Sequence, residues 1–261
     1  MIRIQITYFS LLTCFLTLGL TISACSQSRE WVPGDTEFYE PVPPIVEAKP
    51  VFMQPPSDAT ILFDGSDLSA WESTNGGAAD WTLENGAMTV KPGSGNIVTK
   101  EKFGSVQLYL EWRSPVEVSG EGQGRGNSGV FLQRRYEVQV LDMFNNETYT
   151  NGMAASIYKQ SVPWANAAVP PGEWNTYNII YEAPEFRENG SVKKPAYITV
   201  FWNGVLVQHK TEIQGTTEYI GPPSYTVHEE DGIVLQDHGD LVSFRNIWIR
   251  NLDDNPVRNH Q

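Results

Sequence analysis

Two Asn-Gly dipeptides, each set between runs of alternating apolar and polar residues, constrain this chain more than any other feature. Asn85-Gly86 lies inside WTLENGAMTV (81–90) and Asn203-Gly204 inside AYITVFWNGVLVQHK (196–210). Both residues tolerate the positive φ that a two-residue hairpin turn demands, so each dipeptide predicts a pair of antiparallel strands. VQLYLEWRS (106–114) alternates as a half-buried strand does, with Val106, Leu108, Leu110 and Trp112 on one face and Gln107, Tyr109, Glu111 and Arg113 on the other. TYNIIYEAP (176–184), GIVLQDHG (232–239) and LVSFRNIWIR (241–250) add further strands. Helical periodicity is confined to a turn or short helix over residues 153–160. Many short strands with turn signals and almost no helix predict an all-β, jelly-roll sandwich of two antiparallel sheets.

Residues 126–142, GNSGVFLQRRYEVQVLD, carry polar side chains where a plain sandwich strand needs none. In the second strand Tyr136, Val138 and Val140 share one face, and Glu137 and Gln139 the other, with Asp142 just beyond. Polar positions filled by Glu, Gln, Asn, Arg and Tyr, rather than by Lys, Thr and Ser, suit a sugar cleft better than a solvated face.

The ends of the chain read differently from its middle. Arg3 precedes an uncharged apolar run from Tyr8 to Ile22, which ends in Ile22-Ser23-Ala24-Cys25. Residues 1–24 are therefore expected to be a secretory signal of lipoprotein type, with Cys25 diacylated and anchoring the chain to a membrane. The other cysteine, Cys14, lies within that signal, so the mature chain is expected to have no disulfide and no thiolate metal site. Residues 25–56 begin with the lipidated cysteine and hold seven prolines (33, 41, 43, 44, 50, 55 and 56), a composition that predicts a semi-extended tether. Trp31, Phe38 and Tyr39 mark parts of it that can pack on the domain. Residues 57–251 form the domain, and 252–261 a frayed tail. The formal charge of −13 excludes the basic footprint that nucleic acid requires. The expected location is the bacterial cell envelope, lipid-anchored at the outer membrane or facing the periplasm.

ILFDGSDLSAW (61–71), GNIVTKEKFGSVQLYLEWR (95–113), GRGNSGVFLQRRYEVQVLD (124–142), GEWNTYNIIYEAP (172–184), VFWNGVLVQ (200–208) and VSFRNIWIR (242–250) resemble successive blocks of the 3-keto-disaccharide hydrolase family, in its order. EGQGRGNSG (121–129), SIYKQ (156–160) and LQDHG (235–239) resemble a subgroup of exported lipoproteins within it. The resemblance implies a concanavalin A-like or LamG-like jelly roll and a carbohydrate substrate already oxidised to a ketone at C3. It also implies that the protein works after a sugar 3-dehydrogenase. A C3 ketone acidifies the C2 proton. A general base then removes it, the C1 substituent leaves by β-elimination, and hydration completes net hydrolysis.

Such chemistry needs one base near neutrality and one stabiliser for the enolate. Glu137 is a candidate base or hydroxyl-binding carboxylate, and His238, in Gln236-Asp237-His238-Gly239, is the competing base. Asp142 is a further catalytic candidate. Arg113 or Lys159, the latter beside Tyr158, is expected to stabilise the enolate. Gln139, Tyr158, Gln236 and Asp237 are expected to hold sugar hydroxyls. Glu111 and Arg113 suit either a site role or an ion pair, and Asn127 either a hydroxyl contact or a turn cap. Arg245 and Asn246 should point to opposite faces, and Arg245 is favoured for the cleft. A divalent metal held by Asp237 and His238 is compatible with the sequence, but no His-x-x-x-His or multi-Asp loop supports one. Two rivals stand beside this reading. Glu137-x-Gln139-x-x-Asp142 matches the spacing of the Glu-x-Asp-x-x-Glu strand of laminarinase-like retaining glucanases, with its middle acid replaced. A noncatalytic carbohydrate-binding lipoprotein is the other.

Overall fold

In a computed structural model that describes residues 29–253, β-branched and aromatic runs form fifteen strands and no α-helix among the described residues. The leader, Cys14 and Cys25 lie outside the described residues, as does the tail from 254. In chain order the strands are β1 (Thr60–Phe63), β2 (Trp71–Ser73), β3 (Thr82–Glu84), β4 (Ala87–Thr89), β5 (Ile97–Thr99) and β6 (Val106–Arg113). The 126–142 segment supplies β7 (Ser128–Leu132) and β8 (Tyr136–Val140). The second half gives β9 (Asn175–Glu182), β10 (Glu185–Phe186), β11 (Val192–Lys194), β12 (Tyr197–Trp202), β13 (Val205–Glu212), β14 (Val234–Leu235) and β15 (Ser243–Asn251).

Two antiparallel sheets dominate. One runs β13-β12-β9-β6-β15-β4-β3, with β1 also paired to β15; the other runs β2-β5-β14-β7-β8. This is the jelly-roll sandwich expected from the alternating strands. Both Asn-Gly hairpins form, joining β3 to β4 and β12 to β13, with φ of 53° and 73° at Asn85 and Gly86 and 51° and 81° at Asn203 and Gly204. The stretch 153–160 forms turns rather than a helix. Leu108, Leu110, Trp112, Tyr177, Ile179 and Tyr181 from the larger sheet bury against Val130, Tyr136, Val138 and Val140 from the smaller. Within this core the Tyr177 hydroxyl donates to Gln139 O at 2.8 Å, which ties β8 to the opposite sheet.

β8 is the outer strand of the five-stranded sheet, and an exposed edge there would leave backbone groups unpaired. Residues 155–158 cover it instead. Ala155 N donates to Gln139 O, Gln139 N to Ser156 O, and Tyr158 N to Glu137 O. The Pro-rich segment also lies along the domain. Phe38 N donates to Asn151 Oδ1, Val46 N to Asn166 O, and Met53 N to the Tyr109 hydroxyl.

β15 departs from strict alternation. Arg245 pairs with Glu111 and Trp248 with Tyr109, so three steps on β15 span two on β6. Asn246 takes up the extra residue with φ of 46°. This bulge brings Asn246 and Arg245 to the same carboxylate, where alternation alone puts them on opposite faces.

Candidate functional site

The outward face of the five-stranded sheet bears a cavity of about 600 Å³. Its floor follows from the pairing of β7 and β8, which sets Phe131 opposite Glu137 and Gly129 opposite Gln139. The core-facing residues Val130, Tyr136, Val138 and Val140 bury beneath, so Phe131, Glu137 and Gln139 turn into the cavity. Loops complete the walls. Gln123 and Asn127 come from the Gly-rich turn before β7, Tyr149 and Tyr158 from the 149–158 loop, Thr217 and Tyr219 from the loop after β13, and Gln236 and His238 from the end of β14. Glu37 reaches it from the Pro-rich segment.

Glu137 is 5% exposed, and burial pushes its carboxyl up to about 8, with no side-chain hydrogen bond from the described residues to draw it back. Its backbone N–H donates to Thr217 Oγ1 at 3.0 Å, which fixes the residue from the loop above. Gly129 makes room for the side chain: a Cβ at that position would lie 2.5 Å from Glu137 Oε1. Beside it the Tyr149 and Tyr158 hydroxyls meet at 2.6 Å. Burial pushes the Tyr158 phenol up to about 12, with the Glu137 charge adding to the rise, and pushes Tyr149 further still. Both remain proton donors at neutral pH.

Amides surround these groups. Gln139 Nε2 donates to Gln123 Oε1 at 3.0 Å, and Gln123 in turn donates to Thr148 Oγ1 and Gly152 O. Gln139 and Gln123 are thus locked with polar atoms facing the cavity. Asn127 Nδ2 donates to Gln123 O and its backbone N–H to Asp240, so Asn127 both caps the turn and lines the wall. Gln236 Oε1 has no hydrogen-bond partner among the described residues. His238 is an exposed residue on the rim.

Of the residues singled out from sequence, Glu137, Gln139, Asn127, Tyr158, Gln236 and His238 converge here. The others do not. Asp142 pairs with Arg125 at 2.8 Å and accepts from Phe144 N at 3.0 Å; it stabilises the turn after β8 instead of facing the cavity. Asp237 accepts from Gly95 N and Gly239 N and shapes the loop that carries His238. Lys159 lies behind the wall, its ammonium donating to Pro33 O at 2.8 Å and Tyr219 O at 2.9 Å. Burial lowers its pKa, opposed by Glu37 at 3.5 Å.

Glu111, Arg113 and Arg245 belong to the other sheet, on the face away from the core. Glu111, 3% exposed, accepts from Arg245 at 2.6 Å, Asn246 at 2.8 Å and Tyr109 at 3.2 Å, and Arg113 stacks on Trp174. The ion pair of Glu111 is with Arg245, not with Arg113, because β6 and β15 are neighbours in register. Arg245→Met should therefore change catalytic efficiency less than about twofold while costing about 1–3 kcal/mol of stability, since Glu111 would stay buried with its strongest partner gone. Kinetics and denaturant titration on one preparation check both halves. No group of three or more His, Cys, Asp or Glu among the described residues is placed to hold a metal ion.

Six lining residues escaped the sequence reading: Glu37, Gln123, Phe131, Tyr149, Thr217 and Tyr219. Phe131 was recoverable, because a hairpin pairing β7 with β8 places it beside Glu137. The others sit on loops with no periodicity to reveal their direction.

Comparison with known proteins settles the family. Residues 58–250, which contain every strand but for the final residue of β15 and nearly the whole cavity, match the family described as the 3-keto-alpha-glucoside-1,2-lyase-like domain. The chain belongs to that family. A crystal structure from Parabacteroides distasonis, of a protein named a glycosyl hydrolase, is 54% identical, with a TM-score of 0.76 over 84% of this chain and 96% of that one. A second Parabacteroides distasonis structure so named, 23% identical with a TM-score of 0.55 over 75% of this chain and 94% of that one, shares the fold. Among curated proteins, the 3-keto-disaccharide hydrolase of Bacteroides thetaiotaomicron is 24% identical, the alignment covering 93% of this chain and 98% of that protein.

Proposed function

We propose that this family member cleaves glycosides bearing a ketone at C3, and that Glu137 is the base that starts the reaction. The observation that carries this reading is the buried Glu137 carboxyl, facing a polar cavity with its pKa raised to about 8. A base of that strength is matched to a carbon acid flanking a ketone, and it abstracts the C2 proton without a second carboxylate. The electron pair released at C2 forms the enolate, then the C1–C2 double bond, as the C1–oxygen bond breaks and the aglycone departs as an alcohol. Water adds across that double bond to complete hydrolysis.

Neutral donors suit the enolate here, because no Lys or Arg lines the cavity among the described residues. The Tyr149–Tyr158 pair holds one hydroxyl proton beyond the one it shares, and the Gln139 amide has a second N–H. His238 lines the rim of the same cavity, where its ring can hydrogen-bond the aglycone side of the substrate. The family, the Parabacteroides distasonis protein named a glycosyl hydrolase and the Bacteroides thetaiotaomicron protein named a 3-keto-disaccharide hydrolase all support action on glycosides. The retaining-glucanase alternative loses its second acid, since Asp142 is consumed by Arg125 outside the cavity.

The pH dependence follows from the sign of the shift. Glu137 is protonated and inactive as a base below about 8, so kcat/KM on a 3-keto-glucoside should rise tenfold per pH unit below that value and level off above it. A profile flat from pH 6 to 9 would remove Glu137 from the role. We further propose that the reaction takes place at the cell envelope with Cys25 as the lipid anchor, a reading supported by the Ile22-Ser23-Ala24-Cys25 signal, and that it follows a sugar 3-dehydrogenase, as the family resemblance implies. Cys25→Ser expressed in a bacterial host should move the protein from the membrane to the soluble fraction; unchanged membrane retention would exclude that anchor.

A further inference from the structure

The family-matched domain does not close the cavity alone. The match covers residues 58–250, yet one of the two carboxylates on the cavity wall is Glu37, well upstream of it. The chain on both sides of Glu37 is pinned. Asn151 Nδ2 donates to Thr36 O at 2.9 Å, and Asn151 Oδ1 accepts from Phe38 N at 2.9 Å. Phe38 O accepts from the Thr150 hydroxyl at 2.9 Å. Lys159, its side chain 2% exposed, joins the same segment to the far wall by donating to Pro33 O and Tyr219 O. Burying an ammonium is costly, and this one is spent on fixing the segment that carries Glu37.

The carboxylate itself is held but not saturated. Glu37 Oε2 accepts from the Tyr39 hydroxyl at 3.0 Å, and Oε1 lies 3.5 Å from Lys159 Nζ. A carboxylate offers about four acceptor directions, so capacity remains toward the cavity. Glu37, Glu137 and Tyr158 line the same cavity, so the two acids share one space into which a sugar can fit. The chemistry at C2 and C3 is served from the β8 side, by Glu137 and the tyrosine pair.

We propose that Glu37 is a substrate-binding residue supplied from outside the family domain, accepting a hydrogen bond from the C4 or C6 hydroxyl of the keto sugar. This inference rests on the 3-keto-glycoside reading above and assigns that site its recognition of the sugar ring. It predicts that residues 33–40 act as a wall of the site and not only as a link to the membrane.

The test is steady-state kinetics on methyl 3-keto-α-glucoside and its 4-deoxy and 6-deoxy analogues, using the full chain with and without Glu37→Ala and Glu37→Gln. Glu37→Ala should raise KM about 10–100-fold on the parent sugar, the range expected for a hydrogen bond to a charged group. On one of the two deoxy analogues the same substitution should change KM less than about twofold, because the hydroxyl it served is missing. Glu37→Gln, which keeps an acceptor oxygen, should recover part of the loss. An equal penalty on all three sugars would show that Glu37 only holds the segment in place, and no penalty on any would show that it holds nothing; either overturns the inference while the 3-keto reading stands. Failure of the unsubstituted protein to turn over the parent sugar would instead sink that reading and this inference with it.

Discussion

Glu137→Gln should lower turnover of a 3-keto-glycoside by roughly 10³-fold, within the range that general-base catalysis supplies, and should at the same time make the protein more stable at alkaline pH. The two effects share one cause. In the folded protein the Glu137 carboxyl titrates at about 8, whereas its ordinary value is 4.5. Between those values the native state keeps a proton that the unfolded chain has released, so stability falls as pH rises through that window. Above about 8 the folded state carries a buried, unpaired carboxylate and the whole penalty persists. Glutamine fills the same space without a charge. The variant should match the parent near pH 4 and exceed it by on the order of 2–5 kcal/mol at pH 9, a rise of roughly 5–15 °C in Tm for a domain of this size. Thermal unfolding across pH 4–9 measures the divergence. A variant that loses activity without gaining alkaline stability would mean that burial does not raise the Glu137 pKa.

Gly129→Ala should lower turnover by about 10²-fold and be almost silent in stability. Its Cβ would sit 2.5 Å from Glu137 Oε1 and 2.8 Å from Phe131 Cε2, so both side chains must move. Neither contact is with backbone, so the fold can yield at the flexible end of Glu137. That carboxylate is what catalysis needs held, and a displacement near 1 Å costs about 10²-fold in rate. In a strand interior alanine is itself preferred to glycine, so stability should change by less than about 1 kcal/mol. Rate and Tm measured together separate this result from general disruption. Unchanged turnover would mean that the position of the Glu137 carboxylate does not matter.

Much of the fold was legible in the sequence because it rests on local rules. The Asn-Gly turns need positive φ, and the strand periodicity follows from the pleat; both produced the expected hairpins and sheets. The β15 bulge was not legible, because one extra residue at Asn246 looks the same in sequence as continued alternation. Alternation puts Arg245 and Asn246 on opposite faces, whereas the bulge delivers both to Glu111. The site was half legible. Glu137 and Gln139 follow from strand alternation, and His238 and Gln236 from the end of the strand that pairs with β7. Glu111 and Arg113 have the same residue types and the same alternation, but strand order puts them on the other sheet, and order is not a local property. Asp142, Asp237 and Lys159 were misleading for a different reason. Each has a polar side chain near the site, and each spends its bonds on backbone or an ion pair that shapes the loops. The segment around Glu37 read as a tether because prolines dominate it, although its aromatic residues marked where it packs on the domain.

The central claim is that Glu137 takes a proton from C2 of a sugar already oxidised at C3. Methyl 3-keto-α-glucoside, made with hydrogen or with deuterium at C2, tests it when methanol release is followed by NMR at saturating sugar and pH 9. Slower release from the deuterated sugar, with a transient C1–C2 unsaturated keto sugar and no release from unoxidised methyl α-glucoside, is the predicted result. Equal rates for the two isotopologues together with ready cleavage of the unoxidised glycoside would contradict it.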